Sequence, residues 1–198
     1  MRLAKRLDAV KPSPTLAITA KAKELKAKGV DVVGFGAGEP DFDTPKAIKA
    51  AAVKAIDEGF TKYTPTNGIP ELREAIAARI AQQHGISYKA GEVLVSCGGK
   101  HSLYNLFQAL LNPGDEVVIF APYWVSYADM VRLADGVPVV VQTRHESGFE
   151  PSHDDIRKAI GPRTRAVIVN SPSNPTGAVF GRATLQNVVA EVKGKDIL

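Results

Sequence analysis

The 198-residue sequence contains a single cysteine, one tryptophan, two methionines and four histidines. One cysteine cannot form an internal disulfide, which excludes the disulfide-stabilised secreted domains and fits a reducing compartment. Because Cys97 ends the apolar run "EVLVSC", we predict a buried, unreactive thiol. The histidines have no spacing typical of metal ligands, so we predict no metal site. They are His84, His101, His145 and His153.

Long apolar runs are also missing. None is long enough to cross a membrane, and no continuous apolar segment follows the basic residues of the start "MRLAKRLDAV", as it would in a secretory signal. We therefore expect a cytoplasmic protein without a membrane partner. The formal net charge of +4 does not indicate nucleic-acid binding, because the lysines are spread along the chain and no basic block interleaves with aromatic residues.

The sequence does contain apolar strand patterns that alternate with helical patterns, which predicts an α/β fold with a mainly parallel sheet covered by helices. Thr44 and Pro45 are typical of an N-cap followed by proline at the first helical position, and a second helix is predicted over 70–84 with Gly85 as its stop. Later strands are predicted over 92–97, 116–120, 137–143 and 165–170. Later helices are predicted over 100–111, 126–134, 153–160 and 183–192.

The two ends of the chain differ from this pattern. Residues 1–44 are rich in loop signals, and we predict an N-terminal arm and part of a small domain there, followed by the first part of a large domain over 45–198. The run "GFGAGEP" is not a dinucleotide-binding motif, since it does not open a helix. The final "KGKDIL" is predicted to be a turn that leads into another buried strand, so we expect the sheet of this chain to be incomplete.

Three loops follow the carboxyl ends of predicted strands, where open α/β sheets bind ligands. In "SCGGKHS", two glycines and a helix start could cradle a phosphate, although a flexible loop with a solvated lysine explains the pattern equally well. In "APYWVSY", Trp124 is either a core residue or a surface that stacks on a planar ring. In "NSPSNPTG", Asn174 is either a turn residue or a hydrogen-bond donor whose direction the neighbouring prolines restrict.

These segments, together with "KPSPT", "GAGEPDFDTP" and "KYTPTNGIPELREAI", resemble the class I aminotransferases that use pyridoxal 5′-phosphate (PLP), and among them the bacterial-type aspartate aminotransferases. The segments span nearly the whole chain in family-like order and spacing. The resemblance implies an aspartate aminotransferase-like fold with a large domain around a mostly parallel sheet and a small domain built from both chain termini. It also implies a homodimer with shared active sites, acting on a small amino acid and a 2-oxo acid.

The same resemblance implies cofactor contacts. Gly99, Lys100 and His101 match the segment whose backbone holds the phosphate of PLP. Trp124 matches the aromatic residue that stacks on the pyridine ring, and Asn174 matches the asparagine that donates a hydrogen bond to the phenolic oxygen.

Substrate contacts are implied as well. Gly38 matches a backbone contact near the α-carboxylate of the substrate, and Trp124 and Asn174 also border the substrate. Lys100 and Thr15 match residues that hold a distal carboxylate, which favours aspartate with 2-oxoglutarate and is also found in prephenate-accepting relatives. A further residue, Tyr63, matches the tyrosine that reaches the phosphate bound in the neighbouring subunit.

Some functional residues of the family have no match in this sequence. None of the lysines stands in the motif of the family's Schiff-base lysine, so we assign no catalytic residue and expect an N-terminal portion that is inactive alone. The acidic partner of the pyridine nitrogen and the arginine that binds the α-carboxylate are likewise unmatched. Two alternatives stay open: a PLP-dependent lyase on the same fold, and a non-catalytic half-domain that binds PLP or a partner chain.

Overall fold

The computed structural model describes residues 3–10, 14–36, 38 and 40–198. The chain forms two compact units, one of Ser13–Gly98 and one of Gly99–Leu198 together with Met1–Pro12. The domain boundary expected at residue 44 stays a prediction. Across the described residues, no helix is long and apolar enough to cross a membrane. Within the same ranges, no group of three or more His, Cys, Asp or Glu side chains could hold a metal ion.

In the described part of the unit of Ser13–Gly98 there are three α-helices: α1 (Pro14–Ala27), α2 (Lys46–Asp57) and α3 (Pro70–His84). The prediction for α3 is confirmed at both ends, since proline occupies its first turn and Gly85 ends it in the left-handed conformation with a φ of 68°. The N-cap of α2 is Pro45 and not Thr44, because the backbone of Pro45 is still extended. The helix α1 lies within the stretch that we expected to be loop-rich, so that expectation was wrong for residues 14–27.

The strand predicted over 92–97 does not form. Ala90–Glu92 make a short 3₁₀ turn, and the extended residues that follow include one backbone hydrogen bond, from the Val95 N–H to the Asn67 carbonyl at 3.1 Å. A strand needs a ladder of such bonds, and the described residues place no neighbouring strand beside this segment. Cys97 is exposed as a result, so the prediction of a buried thiol was wrong.

The unit that contains Gly99–Leu198 is built on a three-stranded parallel sheet, which confirms the predicted sheet type. The strands are β1 (Glu116–Ala121), β2 (Val137–Gln142) and β3 (Thr164–Ile168), in the order β2-β1-β3. The helices α4 (Gly99–Leu110), α5 (Ser126–Leu133), α6 (His153–Ala159) and α7 (Arg182–Val192) accompany them. Each of these elements lies within a few residues of its predicted position.

The central strand β1 contributes to two separate cores, one on each face of the sheet. Val117 and Ile119 pack with residues of α4 and α5, whereas Val118 and Phe120 pack with residues of α6 and α7. Successive side chains of a strand point to opposite faces, so a continuous apolar run fills both cores. Burying a side chain of this kind contributes about 1.5–3 kcal/mol.

The last residues of the chain lie beside β3. The N–H of Leu198 donates to the Arg165 carbonyl at 3.0 Å, and the Leu198 carbonyl accepts from the Val167 N–H at 2.9 Å. Bonds to the residues on both sides of Ala166 follow the pattern of a parallel ladder. The segment "KGKDIL" therefore leads into a strand-like position, as predicted.

The carboxylate of Glu150 fixes the beginning of α7. Its Oε2 atom accepts two hydrogen bonds. One comes from the hydroxyl of Thr184, and the other comes from the N–H of the N-cap residue Gly181 at 2.9 Å. These two bonds, that from Thr184 first, lower the pKa of Glu150 because they favour its charged form. A negative charge at this end of a helix is also favoured by the helix dipole.

We expect Glu150→Ala to lower the free energy of unfolding at neutral pH by about 1 kcal/mol, the usual effect of removing a helix N-terminal cap. Because the pKa of Glu150 is lower in the folded state than in the unfolded state, its charge stabilises the fold at pH values above the ordinary glutamate pKa. This stabilisation is lost as the pH falls through the pKa of Glu150 in the folded state. Urea unfolding curves of the wild type and Glu150→Ala should therefore differ at neutral pH and converge in acid. Glu146→Ala, at an exposed position nearby, is the matched control. A stability difference that does not change with pH would contradict the role given to the charge.

Candidate functional site

Two loops that contain predicted site residues follow the adjacent strands β1 and β3 at the same edge of the sheet. Residues of both loops line one small cavity, with Tyr123 and Tyr127 from the loop and helix after β1 and Asn170 and Ser173 from the loop after β3. The carboxyl ends of parallel strands meet at one edge, and this edge is where open α/β sheets bind ligands. The two loops therefore lie next to each other at this edge of the sheet.

The loop after β1 holds Trp124 immediately before α5. The peptide bond between Ala121 and Pro122 is cis, and the hydroxyl of Thr143 donates to the Ala121 carbonyl at 2.5 Å. The N–H of Tyr127 donates to the Trp124 carbonyl at 3.0 Å. The two aromatic rings also meet in a T-shaped contact, with centroids 5.4 Å apart and planes at 85°. These contacts hold the half-buried indole of Trp124 at the edge of the sheet.

The helix α4 begins at Gly99, one residue earlier than predicted, so that Gly99, Lys100 and His101 form its first turn. The first turn of a helix carries a partial positive charge, which favours an anion. Gly98 has a φ of 90°, a conformation that favours glycine. A Cβ atom added at Gly99 would meet no described atom outside its own helix within 4 Å, so the space beside this turn is open.

The structure brings Lys100 and Trp124 together. The Nζ atom of Lys100 lies 4.9 Å from the centroid of the indole ring. A cation at this distance is attracted by the negative face of the ring, and at exposed sites the attraction contributes about 0.5–1 kcal/mol. Lys100 is exposed, so its ammonium group also remains accessible to an anionic ligand.

The loop after β3 carries Asn174 and is held by side chains at its beginning. The Oδ1 atom of Asn170 accepts a hydrogen bond from the N–H of Asn174 at 3.0 Å, and the Oγ atom of Ser171 accepts one from the N–H of Phe180 at 2.9 Å. The peptide bonds before the two prolines of this loop, Pro172 and Pro175, are both cis. Asn174 itself is exposed at the surface of the loop.

Three further predicted residues belong to the unit of Ser13–Gly98. Thr15 and Gly38 are exposed, and the side chain of Tyr63 is fully exposed. Parts of the motifs around Thr15 and Gly38, at 11–13, 37 and 39, lie outside the described residues. The roles of these three residues stay predictions.

Sequence reasoning missed three residues that support the site: Thr143, Tyr127 and Asn170. A local signal exists for two of them. Tyr127 follows Trp124 by three residues at a helix start, a spacing that brings side chains together. Asn170 precedes Asn174 by four residues in a turn, where asparagine side chains often bind the backbone. Thr143 reaches Ala121 from the neighbouring strand, so no local pattern could have found it.

The sequence is similar to proteins of known activity. Residues 30–198 match the profile of the family described as "Aminotransferase class I and II". The "Aspartate/prephenate aminotransferase" of Thermus thermophilus is 54% identical over 184 residues, which cover 93% of this chain and 48% of that protein. The "Aspartate aminotransferase" of Geobacillus stearothermophilus is 56% identical over 180 residues, or 91% of this chain and 46% of the relative. The chain therefore spans about half the length of the curated relatives it matches.

Solved structures give the same result. A structure described as aspartate aminotransferase from Thermus thermophilus with maleate matches with a TM-score of 0.95 and 52% sequence identity, over 100% of this chain and 52% of that chain. An aspartate aminotransferase from Thermotoga maritima matches with a TM-score of 0.94 at 42% identity, over 98% of this chain and 52% of that chain. These matches confirm the predicted aspartate aminotransferase-like α/β fold.

Trp124 is the only tryptophan of the chain, so protein fluorescence reports directly on its contact with Lys100. We expect Lys100→Ala to increase the quenching of this fluorescence by acrylamide, because the lysine side chain covers part of the indole. The free energy of unfolding should fall by no more than about 1 kcal/mol. Lys158→Ala, at an exposed position on α6, is the control and should leave quenching unchanged. Equal quenching of the wild type and Lys100→Ala would contradict the contact.

Proposed function

Since the chain belongs to the aminotransferase class I and II family, we propose that it forms the cofactor-binding part of a PLP-dependent aminotransferase that acts on acidic amino acids. The observation that carries this proposal is the Lys100–Trp124 pair at the carboxyl edge of the parallel sheet. It combines a planar aromatic surface with a solvent-accessible cation at the position where open α/β sheets bind ligands.

The residues present fit PLP by their chemistry. The cofactor has an anionic phosphate, a planar pyridine ring and a phenolic oxygen. The site provides one suitable element for each group. The first turn of α4, beside the open space at Gly99, suits the phosphate; the indole of Trp124 suits the ring; and the exposed carboxamide of Asn174 suits the phenolic oxygen. We assign the backbone of Gly99, Lys100 and His101 to the phosphate.

The protein's own contribution is binding and orientation. When bound, PLP supplies an electron sink for the bond-breaking at the amino acid Cα. Trp124 covers one face of the pyridine ring and keeps water from it. Asn174 donates a hydrogen bond from its carboxamide to the phenolic oxygen, and the first turn of α4 offsets the charge of the phosphate. Fixed donors of this kind do not have to reorganise when charge moves during the reaction.

We assign Lys100 to the distal carboxylate of the substrate, with Thr15 as its partner and Gly38 near the α-carboxylate. The names of the relatives support this assignment, because aspartate and prephenate each carry a second carboxylate. A lysine ammonium is a compact point charge that suits such a group. The amino acceptor that fits the same site is 2-oxoglutarate, which is also a dicarboxylate.

The proposal includes a homodimer of the whole protein, in which Tyr63 reaches the phosphate bound in the neighbouring subunit. The fully exposed side chain of Tyr63 supports this arrangement. Three apolar residues of α2, namely Ile48, Val53 and Ile56, are each more than half exposed. Exposed apolar side chains on one helix are compatible with a surface that a partner covers.

Binding of PLP is the first measurement. We expect the purified chain to bind PLP in an absorbance titration, and we expect Asn174→Ala and Trp124→Leu each to weaken binding by up to about tenfold, because each removes one hydrogen bond or one ring contact. Gln186→Ala, at an exposed position of α7, is the matched control. Equal affinity of all variants, or no binding by the wild type, would contradict the assigned cofactor site.

A second measurement concerns covalent chemistry. Transamination needs a lysine that bonds to the cofactor and moves a proton at the substrate Cα, and we propose that none of the lysines of this chain has that role. We expect aspartate and 2-oxoglutarate to react no faster with PLP and the chain than with PLP alone. Borohydride reduction followed by peptide mapping should label several exposed lysines weakly. One lysine labelled in full, or clear turnover, would overturn this part of the proposal and leave cofactor binding intact.

A further inference from the structure

Tyr127 has no role in the binding scheme above, although it makes a direct contact with Trp124. It is the second residue of α5, and only 9% of its surface is exposed. Its ring belongs to the core cluster that also contains Ile119 of β1 and Val131 of α5, both completely or almost completely buried. Packing on these sides leaves the Tyr127 ring little freedom to turn.

Trp124 is in a different situation. It lies in a loop, is only half-buried, and is joined to the core through its neighbours. A stacking surface binds a ligand more tightly when its plane is fixed before the ligand arrives, because less freedom is then lost on binding. Lys100 lies over the indole but is an exposed and flexible side chain, so it cannot fix that plane. The T-shaped contact with Tyr127, with planes at 85°, comes from a rigid partner.

We propose that Tyr127 is a positioning residue, whose buried ring fixes the plane of the Trp124 indole at the edge of the sheet. The ring is the part that matters, and the hydroxyl is not required. Burial raises the pKa of Tyr127, because it disfavours the phenolate, so the ring stays neutral at physiological pH. The fixed indole plane does not depend on the proposed function. Only the statement that the ring stacked on Trp124 is the pyridine of PLP rests on the proposed function.

The near-UV circular dichroism of the indole tests this directly, since Trp124 is the only tryptophan of the chain. A fixed asymmetric environment gives a structured indole signal, and a freely turning ring loses it. We expect Tyr127→Leu to lose most of this signal, while Tyr127→Phe, which keeps the ring, retains it. Val188→Ala is the control for general loss of packing, because Val188 is buried in the other core, on the opposite face of the sheet.

The outcomes separate clearly when far-UV circular dichroism and urea unfolding are used to choose conditions in which all variants are folded. Loss of the indole signal in Tyr127→Leu alone supports the proposal. An unchanged signal in Tyr127→Leu overturns it, as does an equal loss in Val188→Ala. If Tyr127→Leu does not fold, Tyr127→Met, whose unbranched and flexible side chain adapts better to the shape of the vacated space, is judged by the same criteria.

Titration with PLP then measures whether the fixed indole plane affects ligand binding. A movable indole should weaken PLP binding about threefold to tenfold in Tyr127→Leu, with recovery in Tyr127→Phe. If the wild type does not bind PLP but Tyr127→Leu still loses the indole signal, the proposed function fails and the positioning role of Tyr127 stands. If PLP binds equally to both proteins despite the lost signal, the indole plane is not important for binding, and the inferred purpose of Tyr127 is overturned.

Discussion

The position of β1 between β2 and β3, with apolar side chains on both faces, determines the rest of the unit around it. Val117 and Ile119 fill one core, and Val118 and Phe120 fill the other. A shift of β1 by one residue would exchange the two sets and leave both cores mismatched, so the register is strongly specified. Because the register is fixed, the points at which β1 and β3 end are fixed too. The loops that carry Trp124 and Asn174 start from these points.

The site is therefore a consequence of the sheet, completed by side chains from other elements. Two of the residues proposed for ligand contacts have a second residue that holds them. Trp124 is held by Tyr127, and Asn174 is held by the carboxamide of Asn170. Thr143 performs the same task for the backbone of the first loop.

Most of the helices and strands could be predicted from the sequence, because their signals are local. The boundaries of α3 follow from a proline and a glycine, and β1 follows from an unbroken apolar run. The segment 92–97 has an equally good strand pattern, but a strand also requires a neighbour, and pairing is not a local property. The exposure of Cys97 is part of the same error. The residues proposed for ligand contacts lie in motifs that are recognisable in the sequence. Thr143 and Glu150 contact residues far away in the chain, so no local motif indicates them.

The anchoring of α7 by Glu150 has a consequence for the loop that precedes this helix. That loop leaves β3 at one end and enters a helix at the other, and Glu150 fixes the entry point through Gly181 and Thr184. A segment held at both ends has few conformations to lose. The conformational entropy of the Asn174 loop is therefore given up when the chain folds, and a ligand that binds there meets a smaller ordering cost.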